Sequence, residues 1–138
     1  MNLKFKPYKN KDFFINLPLG WRALSKKMVY SFYNKDGSGA LQISTYTQTK
    51  GKIDLTEKLV RFMNEKSIND IIKKSKGEYD YVEKSFVKNK FFTYVRILSA
   101  GSYFALITYN CHFDNIDKSE LIIAKKIFDS FKFNIKGN

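Results

Sequence analysis

Cys111 and His112 are the adjacent pair in this chain that most resembles a catalytic nucleophile and its base. They are also its single cysteine and its single histidine. A cysteine nucleophile needs a base within hydrogen-bond reach of its sulfur. The surrounding residues read as a β-strand, in which adjacent side chains point to opposite faces of the sheet. The spacing therefore favours an ordinary strand end over a catalytic dyad.

Metal binding finds little support in the residue types. A zinc site needs several cysteine or histidine ligands, and this chain has one of each. Asp114, Asp117 and Glu120 offer oxygen ligands, but their spacing lacks the glycine of a calcium-binding loop. Capping of a following helix by Asp117 explains these acids better. The sequence predicts no metal and no cofactor.

The remaining glycine and carboxylate clusters also have structural explanations. Gly37-Ser38-Gly39 precedes a strand, whereas a Walker-type phosphate loop ends in Gly-Lys-Ser/Thr and opens a helix, so a turn is the better interpretation. Glu78, Asp80 and Glu83 alternate with other residues at a strand start, which is typical of a solvated sheet edge that resists pairing. There is no Gly-x-Ser-x-Gly elbow either. We therefore expect a protein that is not an enzyme.

The apolar pattern predicts about six strands and two helices. Capping-box patterns at Asp54-Leu-Thr-Glu57 and Asp117-Lys-Ser-Glu120 begin helices over about 55–66 and 118–130. Whether the first helix continues or restarts through 68–72 is left open. Strands joined by tight loops are antiparallel, so the fold class is α+β, an antiparallel sheet flanked by two helices. Short β-type runs place the strands at 13–17, 28–33, 40–46, 81–87, 90–99 and 102–110.

The last two hairpins give the predicted sheet two different faces. If each loop has two residues, Val82 pairs with Val95, Val95 with Leu106, and Ile97 with Phe104, and this apolar face is the predicted core. The opposite, aromatic face carries the candidate binding residues Tyr81, Phe92, Tyr94, Arg96, Tyr103 and Tyr109. If uncovered, it suits a partner protein, because Tyr and Arg are enriched in binding hot spots. If a helix or the N-terminal strand covers it, it is a second core, and the sequence leaves both alternatives open.

Length and composition indicate a single domain. The chain has 138 residues, 43% hydrophobic and 17% aromatic, with 2 Pro and 7 Gly, which excludes disordered and repetitive classes. Residues 1–12 are rich in lysine and predict a loose basic arm ahead of a domain over 13–138. No apolar run is long enough for a membrane span, and no secretory signal is visible. A single cysteine excludes an internal disulfide, and these features together favour the cytoplasm.

The net charge raises the question of a nucleic-acid partner. It is +12, from 25 Lys and Arg against 13 Asp and Glu, and such a charge attracts nucleic acid or an acidic partner. Only three of the basic residues are Arg, which grips phosphate in bidentate fashion and reads bases. Solvated surface lysine is the simpler explanation. Nucleic-acid binding is an alternative, testable by neutralising the lysines of residues 1–12 and Lys73, Lys74 and Lys76.

One motif and the order of the later elements are similar to a known family. Phe-Phe-Ile-Asn-Leu-Pro-Leu-Gly-Trp at 13–21 places alternating apolar residues before Pro-x-Gly-Trp, and Leu-Gln-Ile-Ser at 41–44 and Ala-Lys-Lys-Ile-Phe-Asp-Ser-Phe-Lys-Phe at 124–133 follow. In these features the chain resembles the PsbP-like superfamily. That superfamily includes photosystem II extrinsic proteins, a Ran-binding nuclear-import factor, DcrB-type lipoproteins, bacterial domains of unknown function and type VI effector-associated chaperones. The resemblance implies an antiparallel sheet flanked by helices, but no single activity and no catalytic residues.

The function predicted from the sequence is the binding of another polypeptide. A small, non-enzymatic bacterial adaptor or chaperone-like domain, using the aromatic face or an exposed sheet edge, fits the missing catalytic chemistry and the aromatic residues. A basic nucleic-acid-binding domain is the first alternative, and an enzyme of unknown type is the second. The sequence specifies neither the partner nor the oligomeric state.

Overall fold

The computed structural model describes residues 3–135, which form ten strands and two α-helices. The helices are α1 (Leu55–Met63) and α2 (Lys118–Ser130). Neither described helix has the length and apolarity needed to cross a membrane. The strands are β1 (Phe5–Lys9), β2 (Phe13–Pro18), β3 (Trp21–Lys26), β4 (Val29–Asn34), β5 (Gly39–Thr47), β6 (Ile72–Lys76), β7 (Tyr79–Lys88), β8 (Phe91–Ala100), β9 (Tyr103–His112) and β10 (Lys132–Phe133).

The strands form two antiparallel sheets. The large sheet has seven strands in the order β3-β4-β5-β9-β8-β7-β6, and the small sheet has three in the order β1-β2-β10. The predicted α+β class, an antiparallel sheet flanked by two helices, is confirmed, with more strands than expected. Both helix starts are also as predicted, because Asp54 accepts a hydrogen bond from the Glu57 backbone N–H and Asp117 accepts from those of Ser119 and Glu120.

The hairpins of the large sheet keep the predicted faces but shift the predicted register. Val82 pairs with Ile97 instead of Val95, and Ile97 pairs with Leu106 instead of Phe104. Each turn lies one residue later than expected, at 89–90 and 101–102. Because side chains alternate along a strand, a displacement by two positions leaves every side chain on its predicted face.

Four strands were not predicted: β1, β3, β6 and β10. β1 corrects the interpretation of residues 1–12 as a loose arm, because Phe5 to Lys9 pair with β2. The helical continuation considered for 68–72 is wrong, because α1 ends at Met63 with Asn64 in the left-handed conformation at φ 56°, residues 65–71 form a loop, and β6 begins at Ile72. The parts of the predicted arm and domain at 1–2 and 136–138 lie outside the described residues.

Both faces of the large sheet are covered, by different elements. α1 and the segment after it cover Val82, Val95 and Ile97, which form the smaller apolar cluster. α2 and the small sheet cover the other face, and there Phe13 of β2 and Phe128 of α2 join the larger cluster. Burial of apolar side chains in both clusters stabilises the fold. The predicted core is therefore the smaller of two apolar clusters.

Candidate functional site

The six candidate residues share one face of the large sheet, as predicted, but that face is covered. Tyr81, Tyr94, Arg96 and Tyr109 are 9%, 6%, 6% and 0% exposed. Phe92 and Tyr103 are half-buried. Of the two alternatives left open by the sequence, the structure shows the covered face, a second core, and the use of this face for binding a partner is therefore not available. The physical reason is that α2 and the small sheet lie over this face, and two strands of that sheet were not predicted.

Arg96 gathers the central candidate residues into a buried hydrogen-bonded cluster. Its Nη2 donates to Glu83 Oε2 at 2.9 Å, and its Nη1 donates to Asp129 Oδ1 of α2 at 2.8 Å. The Tyr94 hydroxyl donates to the same Glu83 oxygen, and the guanidinium lies 4.3 Å from the centre of the Tyr81 ring. Glu83 is thus a buried partner of Arg96, which corrects its interpretation as part of a solvated edge.

The pKa values of Tyr94 and Arg96 in this Arg96 cluster both lie above their ordinary values. Burial raises the pKa of Tyr94 well above its ordinary value, and the hydrogen bond to Glu83 raises it further. Burial acts to lower the pKa of Arg96, but hydrogen bonds to Asp129 and Glu83 outweigh it, so that pKa is raised. A general acid or base works best with a pKa near the operating pH. The cluster fits a structural role under α2.

The remaining candidate residues take no part in the hydrogen bonds of this cluster, although Tyr109 is the cross-strand partner of Tyr94. The Tyr103 ring packs against Phe133 of β10, with 5.9 Å between ring centres. Phe92 lines, with Tyr94 and Leu121, a cavity of about 130 Å³ between β8 and α2. The structure therefore brings together Tyr81, Tyr94 and Arg96 but distributes the other three along the covered face.

Glu120 holds Tyr109, a role that the sequence interpretation missed. Glu120 Oε1 accepts a hydrogen bond from the Tyr109 hydroxyl at 2.7 Å and from the Gly39 N–H at 2.9 Å, and its Oε2 accepts from the Ser38 N–H at 3.0 Å. The buried carboxylate thus holds α2 to β9 and to the loop after β4, a role different from the capping-box one that the sequence predicted for it. The available signal was its position, since Glu120 falls on the apolar stripe of α2 with Ala124 and Ile127.

Cys111 and His112 lie on opposite faces of β9, as their adjacency predicts. Cys111 is buried in the core beneath α2, and burial raises the pKa of its thiol. His112 lies on the other face, where its Nδ1 contacts the Asp114 carboxylate and its ring meets Phe91. Because a reactive cysteine needs a lowered pKa and a nearby base, this pair has neither feature of a nucleophilic dyad.

An open apolar groove lies on the outer side of α2. Its volume is about 820 Å³. Three large aliphatic side chains around it are strongly exposed: Leu3 by 46%, Leu19 by 53% and Ile122 by 58%. Contiguous exposed apolar surface of this kind marks interaction sites on proteins. We call this concavity the α2 groove; it is lined by Leu3, Lys4, Phe5, Leu19, Ser119, Ile122, Ile123 and Lys126.

Two separate parts of the chain build the α2 groove. Ser119, Ile122, Ile123 and Lys126 follow helical spacing on the outer stripe of α2. The opposite wall is the start of the small sheet, where the Leu19 N–H donates to the carbonyl of residue 4 at 3.0 Å. Sequence interpretation missed the groove because it assigned residues 1–12 to a loose arm. The exposed isoleucines of α2, off its buried stripe, were the available signal.

Comparison with known proteins identifies solved structures of similar fold. No protein-family model and no curated protein matches it. The structure is similar to that of the cyanobacterial PsbP protein CyanoP from Synechocystis sp. PCC 6803, with a TM-score of 0.70 and 10% identity over 96% of this chain and 94% of that one. A Bacteroides thetaiotaomicron protein has a TM-score of 0.60 and 17% identity over 91% of this chain. This chain covers 46% of the Bacteroides protein, about half its length.

Proposed function

We propose that this PsbP-like domain is a non-catalytic binding module that holds a segment of another polypeptide in the α2 groove. The observation that carries the proposal is the open concavity of about 820 Å³ with the exposed Leu3, Leu19 and Ile122 around it. Grooves of this kind receive the apolar face of a partner's amphipathic segment. Polypeptide binding, predicted from the sequence, is retained, but its proposed site moves from the covered aromatic face to this groove.

The burial and hydrogen bonding of Glu83 and Glu120, and the burial of Cys111, support binding over catalysis. Glu83 and Glu120 are buried with hydrogen bonds from side-chain and backbone donors. The Cys111 thiol is buried, and its pKa is raised. An enzyme site needs titratable groups that converge on a pocket with room for a substrate. Glu83, through Arg96, and Glu120 are instead engaged in holding α2 and the loop after β4 to the large sheet.

The placement of arginine weakens the nucleic-acid alternative. Arg96 is buried, and Arg61 forms an ion pair with Glu57 at 3.0 Å along α1. Arg22 is exposed on β3. Since bidentate phosphate and base contacts depend on accessible Arg, this leaves one arginine in position for them. Polypeptide binding is therefore the function that the geometry supports better.

Selection of peptides on the folded protein tests the proposal. Peptides selected from a random display library against the wild-type protein are measured again with Ile122→Glu and with Val87→Glu. Val87, on β7, is a matched control, because both side chains are 58% exposed and a charge at either is solvated. We expect a loss of at least about tenfold in affinity with Ile122→Glu and unchanged affinity with Val87→Glu. Equal affinities for the two variants contradict the proposal.

A further inference from the structure

We propose that the segment bound in the α2 groove is an amphipathic helix that presents carboxylates beside its aliphatic face. This inference rests on the proposed polypeptide-binding function and specifies the chemistry of the partner. The groove has a mostly apolar lining and one lysine on each wall, Lys4 from the start of the small sheet and Lys126 from α2. No carboxylate is found among the described lining residues.

The three carboxylates nearest to the α2 wall in sequence already have hydrogen-bond partners. Asp117 accepts from the N–H groups of Ser119 and Glu120 at the start of α2. Glu120 points into the core and accepts hydrogen bonds from Tyr109 and the loop after β4. Asp129 accepts from Arg96. None of the ion pairs formed within residues 3–135 uses Lys4 or Lys126. A partner carboxylate at either rim therefore meets an unneutralised positive charge, whereas a partner lysine meets like charge.

The walls of the groove favour a helical occupant over an extended one. An extended segment leaves its own backbone groups to be paired by a free strand edge. On the α2 wall the backbone groups bond within the helix, so an occupant meets only side chains there; on the other wall the residue 4 carbonyl already accepts from the Leu19 N–H, while β1 is an edge strand of the small sheet. A helix satisfies its own backbone and offers only side chains. From Ser119 to Lys126 the wall spans about two helical turns, or about 10 Å.

Two other occupants fit these observations less well. A second copy of this chain carries a net charge of +12, and seating it here brings lysine-rich surface against Lys4 and Lys126. A membrane surface favours apolar side chains that protrude from a face; Leu19 and Ile122 are strongly exposed here, but they border a concavity in which Phe5 and Ile123 lie half-buried. The charge and shape of the groove therefore favour an acidic amphipathic helix.

Three labelled synthetic helical peptides of about 18 residues provide the probes. Each peptide has a polar face made of Gln and one type of ionic residue. The acidic peptide combines a leucine face with Glu, and the basic peptide combines the same leucine face with Lys. The third peptide keeps Glu, but its leucines are replaced by Ser. Fluorescence anisotropy is measured with the full chain at low and high salt. We expect the acidic peptide to bind about tenfold more tightly than the basic one at low salt, with this preference reduced by salt, and no binding of the Ser peptide.

Charge-reversal variants at the two rims separate a local effect of the groove from an effect of net charge. Lys4→Glu/Lys126→Glu should weaken the acidic peptide about tenfold and favour the basic peptide instead. Lys73→Glu/Lys76→Glu on β6 is the matched control, since it changes the net charge equally and should leave the peptide preference intact. Equal loss with both double variants overturns the inference, because the effect is then one of net charge and not of the groove.

The outcomes separate this inference from the proposed function. If the basic peptide binds as well as the acidic one and Ile122→Glu abolishes both, the groove binds polypeptides but the acidic chemistry is wrong. If no peptide binds, both proposals are wrong. Vesicles of anionic phosphatidylglycerol are the last probe. If the protein binds these vesicles but not the acidic peptide, and Ile122→Glu abolishes the vesicle binding, the groove binds membranes and the inference is overturned.

Discussion

The Tyr109 hydroxyl donates a hydrogen bond to Glu120 Oε1 at 2.7 Å and so joins the central strand β9 to the first turn of α2. Both side chains are buried. The same carboxylate accepts the N–H groups of Ser38 and Gly39. The helix that forms one wall of the α2 groove is therefore tied to the sheet on its inner side, and the position of the groove depends on this contact.

Glu120→Gln should destabilise the protein by about 1–3 kcal/mol. The Glu120 carboxylate accepts hydrogen bonds from three donors with its two oxygens, whereas a glutamine amide has one acceptor oxygen. At least one buried donor therefore loses its partner. Urea unfolding followed by Trp21 fluorescence measures the change. Glu65→Gln is the control: Glu65 is half exposed and pairs with Lys88 at 3.7 Å, so its loss should cost at most about 1 kcal/mol. Equal effects of the two substitutions contradict the assigned role of Glu120.

Arg96→Met should cost about 3–5 kcal/mol, because it leaves the Glu83 carboxylate buried without its cation. Replacing both partners, in Arg96→Met/Glu83→Leu, should recover much of that loss, since neither charge then remains buried. A double-mutant cycle in urea unfolding tests this coupling. Strictly additive losses in the cycle show that the two side chains do not depend on each other.

Alkaline pH should weaken the fold through Tyr94 and Tyr109. Burial raises the pKa of both phenols above the ordinary value of 10.0, with hydrogen bonds to Glu83 and Glu120 adding to it. The unfolded chain therefore loses these protons at a lower pH than the native one, and the free energy of unfolding falls as pH rises above about 10. Below that pH their contribution is fully present.

Tyrosine-to-phenylalanine variants isolate this effect from other groups that titrate in the same range. The wild-type unfolding free energy should fall more steeply above about pH 10 than that of Tyr94→Phe or Tyr109→Phe, by up to about 1.4 kcal/mol per pH unit for each phenol. Denaturant midpoints measured across this pH range give the slopes. Parallel slopes for wild type and variants mean that these phenols ionise as readily in the fold as in the unfolded chain.

Local sequence patterns were sufficient for the helices and for the faces of the central hairpins. The caps at Asp54 and Asp117 lie where expected, because an N-cap depends on a few neighbouring residues. The strands that were missed carry weak local signals. β6 is mostly lysine, and the turn into β4 uses Lys27-Met28, with positive φ at both residues, instead of the usual Asn-Gly or Gly-rich pair.

Contacts between distant parts of the chain could not be derived from such patterns. The cover over the aromatic face depends on Phe133 of β10 pairing with Phe13 of β2, from opposite ends of the domain. The α2 groove likewise depends on Lys4 and Leu19 lying opposite Ile122. Periodicity shows that a face is apolar, but which element covers it is decided by tertiary packing.

Methyl chemical-shift mapping tests the central claim most directly. The protein, labelled at Ile and Leu methyl groups, is titrated with the acidic leucine-faced peptide. The account predicts that the largest shifts occur at Leu19, Ile122 and Ile123 around the α2 groove. Shifts that are largest at Leu24 on β3 or Ile72 on β6, the exposed edges of the large sheet, with none at Ile122, would contradict it.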